Sequence, residues 1–291
     1  MQPWVLLASI GLGPILEAAV HRVSLPGGIP FEARAVPSGT FLMGSSQAEP
    51  GRYIDETLHR VTLTRSYLVQ NTEMTQQQWR ALMGNEPSAF QGDPMRPVER
   101  VSWYDALACA NALSRAEGLP EVYDLAGCTG TPGEGDFDCA AAGLVAGHPA
   151  LAIGWRLPAE AEWEHACRAG TATVWSHGDD ARELVGHAWF EDVSGNSSHP
   201  VASRQANAWG LHDMMGNVWE WCWDKPLYDP SPAVDPLGSV RPDIVARVYR
   251  GGAWGVPARD VRPACRAHDD PAYRSPLIGF RLVRTLPGGS S

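Results

Sequence analysis

One cysteine of the chain lies among arginines and could carry redox chemistry. Cys265 belongs to an arginine-rich stretch between residues 250 and 284. A cysteine reacts as its thiolate, so it needs an electropositive pocket that lowers its pKa. Arg262 and Arg266 could supply such a pocket, whereas the nearby acid Asp269 opposes it. Two interpretations stay open: Cys265 is a redox residue, or it is a structural thiol, free or bridged to another cysteine.

A second candidate site is the segment L-H-D-M-M-G-N-V-W-E-W, where Asp213 and Glu220 flank Gly216. A tight turn of this length can direct two carboxylates and intervening backbone carbonyls at one centre. Such an all-oxygen set suits a hard cation, and the sequence therefore predicts a calcium site here. The alternative is a turn whose carboxylates cap local N–H groups or pair with an arginine.

The other five cysteines form no C-x-x-C pair, which argues against a zinc ribbon or a thioredoxin motif. Cys128 and Cys139 flank the polar loop T-G-T-P-G-E-G-D-F-D, which has no apparent hydrophobic anchor, and we predict a disulfide between them. A disulfide favours an oxidising compartment. Cys109 and Cys167 lie in apolar helical patterns and Cys222 lies between two tryptophans, so all three are predicted to be buried.

Composition excludes one class of partner. The 291 residues carry a net charge of −10 and no basic stripe, which argues against nucleic acid as the main partner. Thirty glycines and 24 prolines with only 19% charged residues indicate many turns and long ordered loops. Twelve tryptophans suit the packing of such a fold.

The N-terminus contains the only candidate targeting segment. Trp4 to Leu16 is an apolar run of signal-peptide length, but it lacks a positive flank and Glu17 closes it. The run predicts a weak export signal or, alternatively, an apolar strand or helix of the domain. It is too short to span a bilayer, so no membrane span is expected. A secreted or periplasmic location is predicted, with a cytoplasmic one as the alternative.

Local patterns place three helices and several short strands. Thr75 and Ser102 are predicted N-caps of two helices, and a third helix is expected to begin at Pro158. Ala35–Met43 and His59–Leu68 are predicted to be strands. Short strands and turns are expected after residue 171. No repeat or long linker divides the chain, so we predict one domain over residues 33–285, an N-terminal extension over 1–32 and a tail over 286–291.

The order of these segments resembles the formylglycine-generating enzyme family, also called the sulfatase-modifying-factor domain. The matching pieces are S-G-T-F-L-M-G-S, D-E-T-L-H-R-V-T-L, T-E-M-T-Q-Q-Q-W, P-V-E-R-V-S-W-Y-D-A, W-R-L-P-A-E-A-E-W-E-H-A-C-R-A-G, N-A-W-G-L-H-D-M-M-G-N-V-W-E-W and R-G-G-A-W…G-F-R. They cover roughly residues 33–285. The resemblance implies an α+β, C-type-lectin-like fold with little regular secondary structure.

The resemblance also implies particular chemistry at two places. Oxidases of this family hold Cu(I) between two cysteines five positions apart and use O₂ to oxidise a substrate cysteine. Cys265 matches the second of these cysteines, but Asp260 stands at the first, and a carboxylate is a poor ligand for Cu(I). Family members that bind calcium do so through positions matching the side chains of Asp213 and Glu220 and the carbonyls of Gly216 and Val218.

Two functions follow from this comparison. The favoured one is an atypical or non-catalytic member that binds a peptide or glycan, and the alternative is a copper-dependent oxidase that converts a substrate cysteine to formylglycine. Either one implies a peptide or protein partner, and we expect a monomer. Iron-dependent sulfoxide synthases carry this domain as well, but the sequence has no H-x-x-x-H-x-E cluster to bind the iron. The sequence also lacks a G-x-S-x-G, H-E-x-x-H or Walker motif, which argues against a hydrolase.

Overall fold

The computed structural model describes residues 20–227, 229 and 231–287. The apolar run Trp4 to Leu16, on which the export prediction rests, lies outside the described residues, as do residues 288–291 of the tail. Within the described ranges, no helix has the length and apolar character needed to cross a membrane.

The part of the chain that the structure describes contains three α-helices, and the first two begin where the sequence predicted. They are α1 (Gln76–Met83), α2 (Trp103–Ala116) and α3 (Glu160–Arg168). The hydroxyls of Thr75 and Ser102 accept hydrogen bonds from the backbone N–H groups of Gln78 and Asp105, which confirms the two predicted N-caps; both form capping boxes. The third helix begins two residues later than Pro158, because Ala159 is extended and the carboxylate of Glu162 accepts the Ala159 N–H at 2.9 Å.

The described residues also contain four 3₁₀ turns and fifteen short strands. In chain order they are β1 (Val20–Leu25), β2 (Ile29–Val36), β3 (Gly39–Met43), β4 (His59–Leu63), β5 (Tyr67–Gln70), β6 (Tyr123–Asp124), β7 (Cys128–Thr129), β8 (Asp138–Cys139), β9 (Gly143–Leu144), β10 (Trp219–Trp221), β11 (Ala233–Val234), β12 (Arg247–Arg250), β13 (Arg266–Asp269), β14 (Ile278–Gly279) and β15 (Val283–Thr285). Helices and strands thus alternate with long irregular segments, in agreement with the predicted α+β class.

The strands form three larger sheets. The orders are β1-β2-β5-β15, β13-β12-β10-β14 and β11-β4-β3, and β6-β9 and β7-β8 form separate pairs. In the first sheet every pair is antiparallel, with Val20 opposite Arg34 and Val283 opposite Val69. Strand β1 therefore belongs to the domain's own sheet, although it falls in the segment predicted as an extension.

Both long strands predicted near the N-terminal end are divided in two. Ala35–Met43 is interrupted at Pro37 and Ser38, between β2 and β3. Proline has no N–H to donate to a ladder, which explains the break. His59–Leu68 is likewise interrupted between β4 and β5, and these two strands enter different sheets. The alternation of apolar and polar residues identified the strand residues here, but it did not reveal the break at which the chain passes from one sheet to another.

The core combines tryptophans with buried arginines. Five indoles are almost fully buried, those of Trp79, Trp103, Trp155, Trp163 and Trp221, which agrees with the packing role predicted for tryptophan. Four arginines are equally buried, and each pairs with glutamate: Arg156 with Glu162, Arg250 with Glu160 and Glu164, Arg262 with Glu49 and Glu56, and Arg281 with Glu220. Such pairing offsets the large cost of removing a charge from water.

The predicted disulfide joins Cys128 to Cys139 across the pair β7-β8. The expectation that its loop lacks a hydrophobic anchor was wrong, because Phe137 is buried and packs near Ala108. The loop is also held by a hydrogen bond from the Gly133 N–H to Asp105. The free cysteines Cys109, Cys167 and Cys222 are buried as predicted.

Candidate ligand cavity and metal turn

A cavity of about 340 Å³ opens beside Cys265. It is lined by residues from four parts of the chain: Tyr53, Asp55, Trp219, Asp260, Cys265, Arg266, Ala267 and His268. The structure therefore brings Cys265 and Asp260 to one cavity. Tyr53 and Trp219 were missed, and Tyr53 lies in an irregular segment that carries no local signal.

The Cys265 loop is fixed by its backbone. Asp260 lies in a short 3₁₀ turn over Ala258–Val261, and β13 begins directly after Cys265. The Cys265 N–H donates to the carbonyl of Arg262 at 3.0 Å, and the guanidinium of Arg250 donates to the carbonyl of Cys265. These contacts leave the loop little freedom, so the thiol is held at the cavity wall.

The surroundings of the Cys265 thiol disfavour its ionised form. Burial raises its pKa to about 12, and the negative charges of Asp260 and Glu56 act in the same direction. The positive charges of Arg262 and Arg250 oppose this effect but are outweighed. The condition for a reactive thiol, a lowered pKa, is therefore not met.

The arginines expected to activate Cys265 are engaged elsewhere. Arg262 donates to both carboxylate oxygens of Glu56 at 2.7 and 2.9 Å and to Glu49 at 2.7 Å. Arg266 donates to both oxygens of Glu160 at 2.7 and 2.5 Å. Because paired charges largely cancel at a distance, neither arginine makes the cavity electropositive. These partners lie 106 to 213 positions away, out of reach of local sequence patterns.

The donor set of this cavity does not fit Cu(I). Cu(I) in the family's oxidases requires two soft thiolates. Among the described residues that line the cavity, Cys265 is the single cysteine, and Asp260 supplies a hard oxygen donor. No group of three His, Cys, Asp or Glu side chains arranged for a metal occurs within the described ranges.

Aromatic and acidic groups dominate the mouth of the cavity. The hydroxyl of Tyr53 donates to Asp260 at 2.8 Å, and burial together with this carboxylate raises the pKa of Tyr53. The guanidinium of Arg259 lies 5.6 Å from the centre of the Tyr53 ring and 3.5 Å from the Asp260 carboxylate. An aromatic ring beside a carboxylate can bind a cationic group. In this structure the cationic group is the guanidinium of Arg259.

The predicted calcium turn holds its carboxylates in the interior. Asp213, at φ 55°, accepts the Ala202 N–H at 2.6 Å. Glu220 accepts two hydrogen bonds from Arg281, both at 2.6 Å, and one from the Trp163 indole at 2.7 Å. The predicted alternative, a carboxylate paired with an arginine, therefore describes the contacts of Glu220.

A third buried carboxylate faces this turn. Glu73 accepts from the Asn217 side chain at 2.9 Å and from the Val218 N–H at 3.1 Å. Burial and the charges of Asp213 and Glu220 raise the pKa of Glu73 well above its usual range. The charges of all three carboxylates act on Arg281. Carboxylate oxygens are the type of donor that a hard cation prefers. Calcium at Asp213, Gly216, Val218 and Glu220 stays a prediction.

Comparison with known proteins identifies the family to which this chain is similar. The model of the sulfatase-modifying factor enzyme 1-like domain matches residues 32–286. The formylglycine-generating enzyme of Streptomyces coelicolor is 30% identical, with 88% of this chain and 90% of that protein covered. The chaperone protein LppX of Paenibacillus barcinonensis is also 30% identical, over 83% and 87% of the two chains.

The structural comparison agrees with the sequence comparison. Treponema denticola variable protein 1 superposes with a TM-score of 0.77 at 30% identity, over 94% of this chain and 99% of that one. The ordered motifs, the α+β architecture and the family match over residues 32–286 lead to one conclusion. The chain belongs to the sulfatase-modifying-factor family, whose members include formylglycine-generating enzymes.

Proposed function

We propose that this chain is a non-oxidising member of the family that binds a peptide segment in the cavity beside Cys265. One observation carries the proposal: the single cavity cysteine is a buried neutral thiol next to Asp260, without a second sulfur among the described lining residues. An oxidase that activates O₂ through Cu(I) needs the opposite, two thiolates at one metal.

The shape and lining of the cavity support a binding role. Its volume of about 340 Å³ is in the range of sites for small ligand groups. Tyr53 and Trp219 contribute aromatic rings to its wall, and Asp55 and Asp260 contribute carboxylates. Such a combination suits a polypeptide segment, and one of the relatives at 30% identity is named as a chaperone.

The first experiment tests the chemistry. The purified protein is incubated under air with Cu(I) and a peptide containing C-x-P-x-R, and aldehyde formation is followed by mass spectrometry. We expect no aldehyde beyond the amount formed with Cys265→Ser. Turnover by the wild type that disappears in Cys265→Ser would establish the oxidase and refute the proposal.

The second experiment tests binding. Peptides are selected from a displayed random library on the wild-type protein, and their affinities are measured for Tyr53→Ala. We expect at least tenfold weaker binding, about the effect of removing one anchoring aromatic side chain. Tyr273→Ala is the matched control, because Tyr273 is an exposed tyrosine that does not line the cavity. Equal binding by wild type and Tyr53→Ala would exclude this cavity as the peptide site.

A further inference from the structure

One tryptophan outside the cavity is covered by a basic side chain on each face. The Trp189 ring lies 3.6 Å from the His199 ring, with an angle of 11° between the planes. The guanidinium carbon of Arg204 lies 3.5 Å from the centre of the Trp189 ring. At these distances both groups cannot share one face of the indole, so His199 and Arg204 cover opposite faces.

This stack rests on a rigid base. The Asn217 N–H donates to the Trp189 carbonyl at 2.8 Å, and the Trp189 indole N–H donates to Ser203 at 2.8 Å. Gly216 has φ 79°, and a Cβ there would lie 2.1 Å from the same carbonyl. Because only glycine permits this approach, the backbone of Trp189 is locked against the turn.

A second arginine reaches the same place from the segment before α2. The Arg96 guanidinium lies 3.4 Å from the hydroxyl of Ser198, the residue before His199. The Val201 N–H donates to the Met95 carbonyl at 2.9 Å, which ties the two segments together. The positive charges of Arg96 and Arg204 both lower the pKa of His199, after the larger effect of its burial.

These two arginines differ from the paired arginines of the core. Neither Arg96 nor Arg204 forms an ion pair within the described ranges. The Nε atom of each is buried without a hydrogen-bond partner, as is the Nε atom of Arg156 in the core. The charge of Asp213 acts on Arg204, but one oxygen of that carboxylate is bound to the Ala202 N–H. Both guanidinium groups lie near His199, one over the Trp189 ring and one against Ser198. Because no carboxylate pairs with either of them within the described ranges, an anion bound beside this stack would be favoured.

We infer that Arg96, Arg204 and the Trp189–His199 stack form a binding site for an oxyanion of the phosphate or sulfate class. Guanidinium groups present paired N–H donors that match the oxygens of such an anion. The flat stack fixes one of the two guanidinium groups before the ligand arrives, which reduces the entropy lost on binding. The inference does not rest on the peptide cavity.

The experiment uses the full chain and the indole N–H of Trp189 as a reporter. Sodium phosphate and sodium sulfate are titrated separately, and the indole ¹⁵N–¹H signal is followed by NMR after assignment with Trp189→Phe. Sodium chloride at the same ionic strength is the reference, and EDTA is present throughout so that a bound divalent cation cannot act as a bridge. We expect a saturable shift with phosphate and sulfate that chloride does not reproduce.

Variants test which residues hold the anion. Arg204→Gln and Arg96→Gln are each expected to weaken binding about tenfold or more, as for the loss of a charge-assisted hydrogen bond. Arg182→Gln removes a surface arginine that is 89% exposed and paired with Asp180, and it is expected to leave binding unchanged. Melting temperatures of all three verify that they fold.

Three outcomes would overturn the inference. The first is a shift that chloride reproduces at equal ionic strength. The second is a phosphate affinity that Arg182→Gln lowers as much as Arg204→Gln does. The third is unchanged affinity in folded Arg96→Gln and Arg204→Gln. A response to phosphate but not to sulfate, or the reverse, supports the inference and identifies the preferred anion.

Discussion

Asp260 determines what Cys265 can do. In the resemblance that the sequence suggested, Asp260 replaces a metal-binding cysteine. In the structure it also has a direct electrostatic effect, because its carboxylate raises the pKa of the neighbouring thiol. The substitution thus removes a soft ligand and suppresses the remaining thiolate at the same time.

The first prediction concerns this thiol. Iodoacetamide at pH 8 should leave Cys265 almost unmodified in the folded protein, because its pKa is raised to about 12. Asp260→Asn should increase the alkylation rate, since it removes a negative charge that raises this pKa. Peptide mass spectrometry measures the rate, and Asp269→Asn is a control on the following strand. Rapid alkylation of the wild type would contradict the assigned environment.

At the scale of elements, the segment between α1 and α2 contains a buried acid. Glu99 accepts the Phe90 N–H at 2.8 Å through one oxygen, while the other oxygen is buried and has no partner among the described residues. Burial raises the pKa of Glu99 to about 7, despite the opposing backbone hydrogen bonds. This segment therefore favours a neutral carboxyl group.

The second prediction follows from the sign of this shift. The native state keeps a proton on Glu99 up to about pH 7, whereas the unfolded chain releases it near its usual pKa of 4.5. The contribution of Glu99 to the free energy of unfolding should therefore fall as the pH rises from 5 to 8, by about 2–3 kcal/mol at most. Glu99→Gln should remove this contribution, as measured by denaturant unfolding at both pH values.

The control for this prediction is Glu191→Gln, which changes an exposed acid. It should retain the wild-type dependence on pH. An identical slope in the wild type and in Glu99→Gln would show that Glu99 does not titrate in this range.

The helices show where sequence reasoning succeeds and where it ends. The N-caps Thr75 and Ser102 were predicted correctly because the groups that they bind lie three residues away. The contact between Tyr53 and Asp260 spans 207 positions, and nothing near Tyr53 indicates it. The same holds for Arg262, which the sequence placed beside Cys265 but whose partners Glu49 and Glu56 it could not identify. Short-range sequence patterns were therefore sufficient to predict the helices. The charge of the cavity depends on ion pairs between residues far apart in the sequence, which such patterns do not reveal.

At the scale of the whole molecule, one turn connects distant segments. Glu73 follows β5, Asp213 precedes β10 and Glu220 lies within β10, and all three approach Arg281 near the C-terminal end. A cation bound there would connect these segments directly, so its effect should appear in the stability of the complete domain.

The third prediction is a calcium-dependent rise in melting temperature. At a concentration 100 times the Kd, calcium should add about 2.7 kcal/mol to the free energy of unfolding. Asp213→Ala should abolish this increment, whereas Asp213→Asn should keep it, because asparagine retains an oxygen donor and tolerates the left-handed backbone. Calorimetry with calcium, magnesium or EDTA measures the increment. An equal response in Asp213→Ala and the wild type would place calcium elsewhere.

The buried arginine–glutamate pairs also bear on the conditions that this fold tolerates. A guanidinium group keeps its proton in strongly alkaline solution, where lysine would lose it, and the chain contains 22 arginines and one lysine. Alkali therefore leaves Arg156, Arg262 and Arg281 charged beside their glutamates. Strong acid neutralises the glutamates and leaves these buried cations without counter-charges. The folded protein should accordingly be more stable in alkaline solution than in acid. When it is immobilised on a support, alkaline washing should therefore preserve the fold better than acid elution.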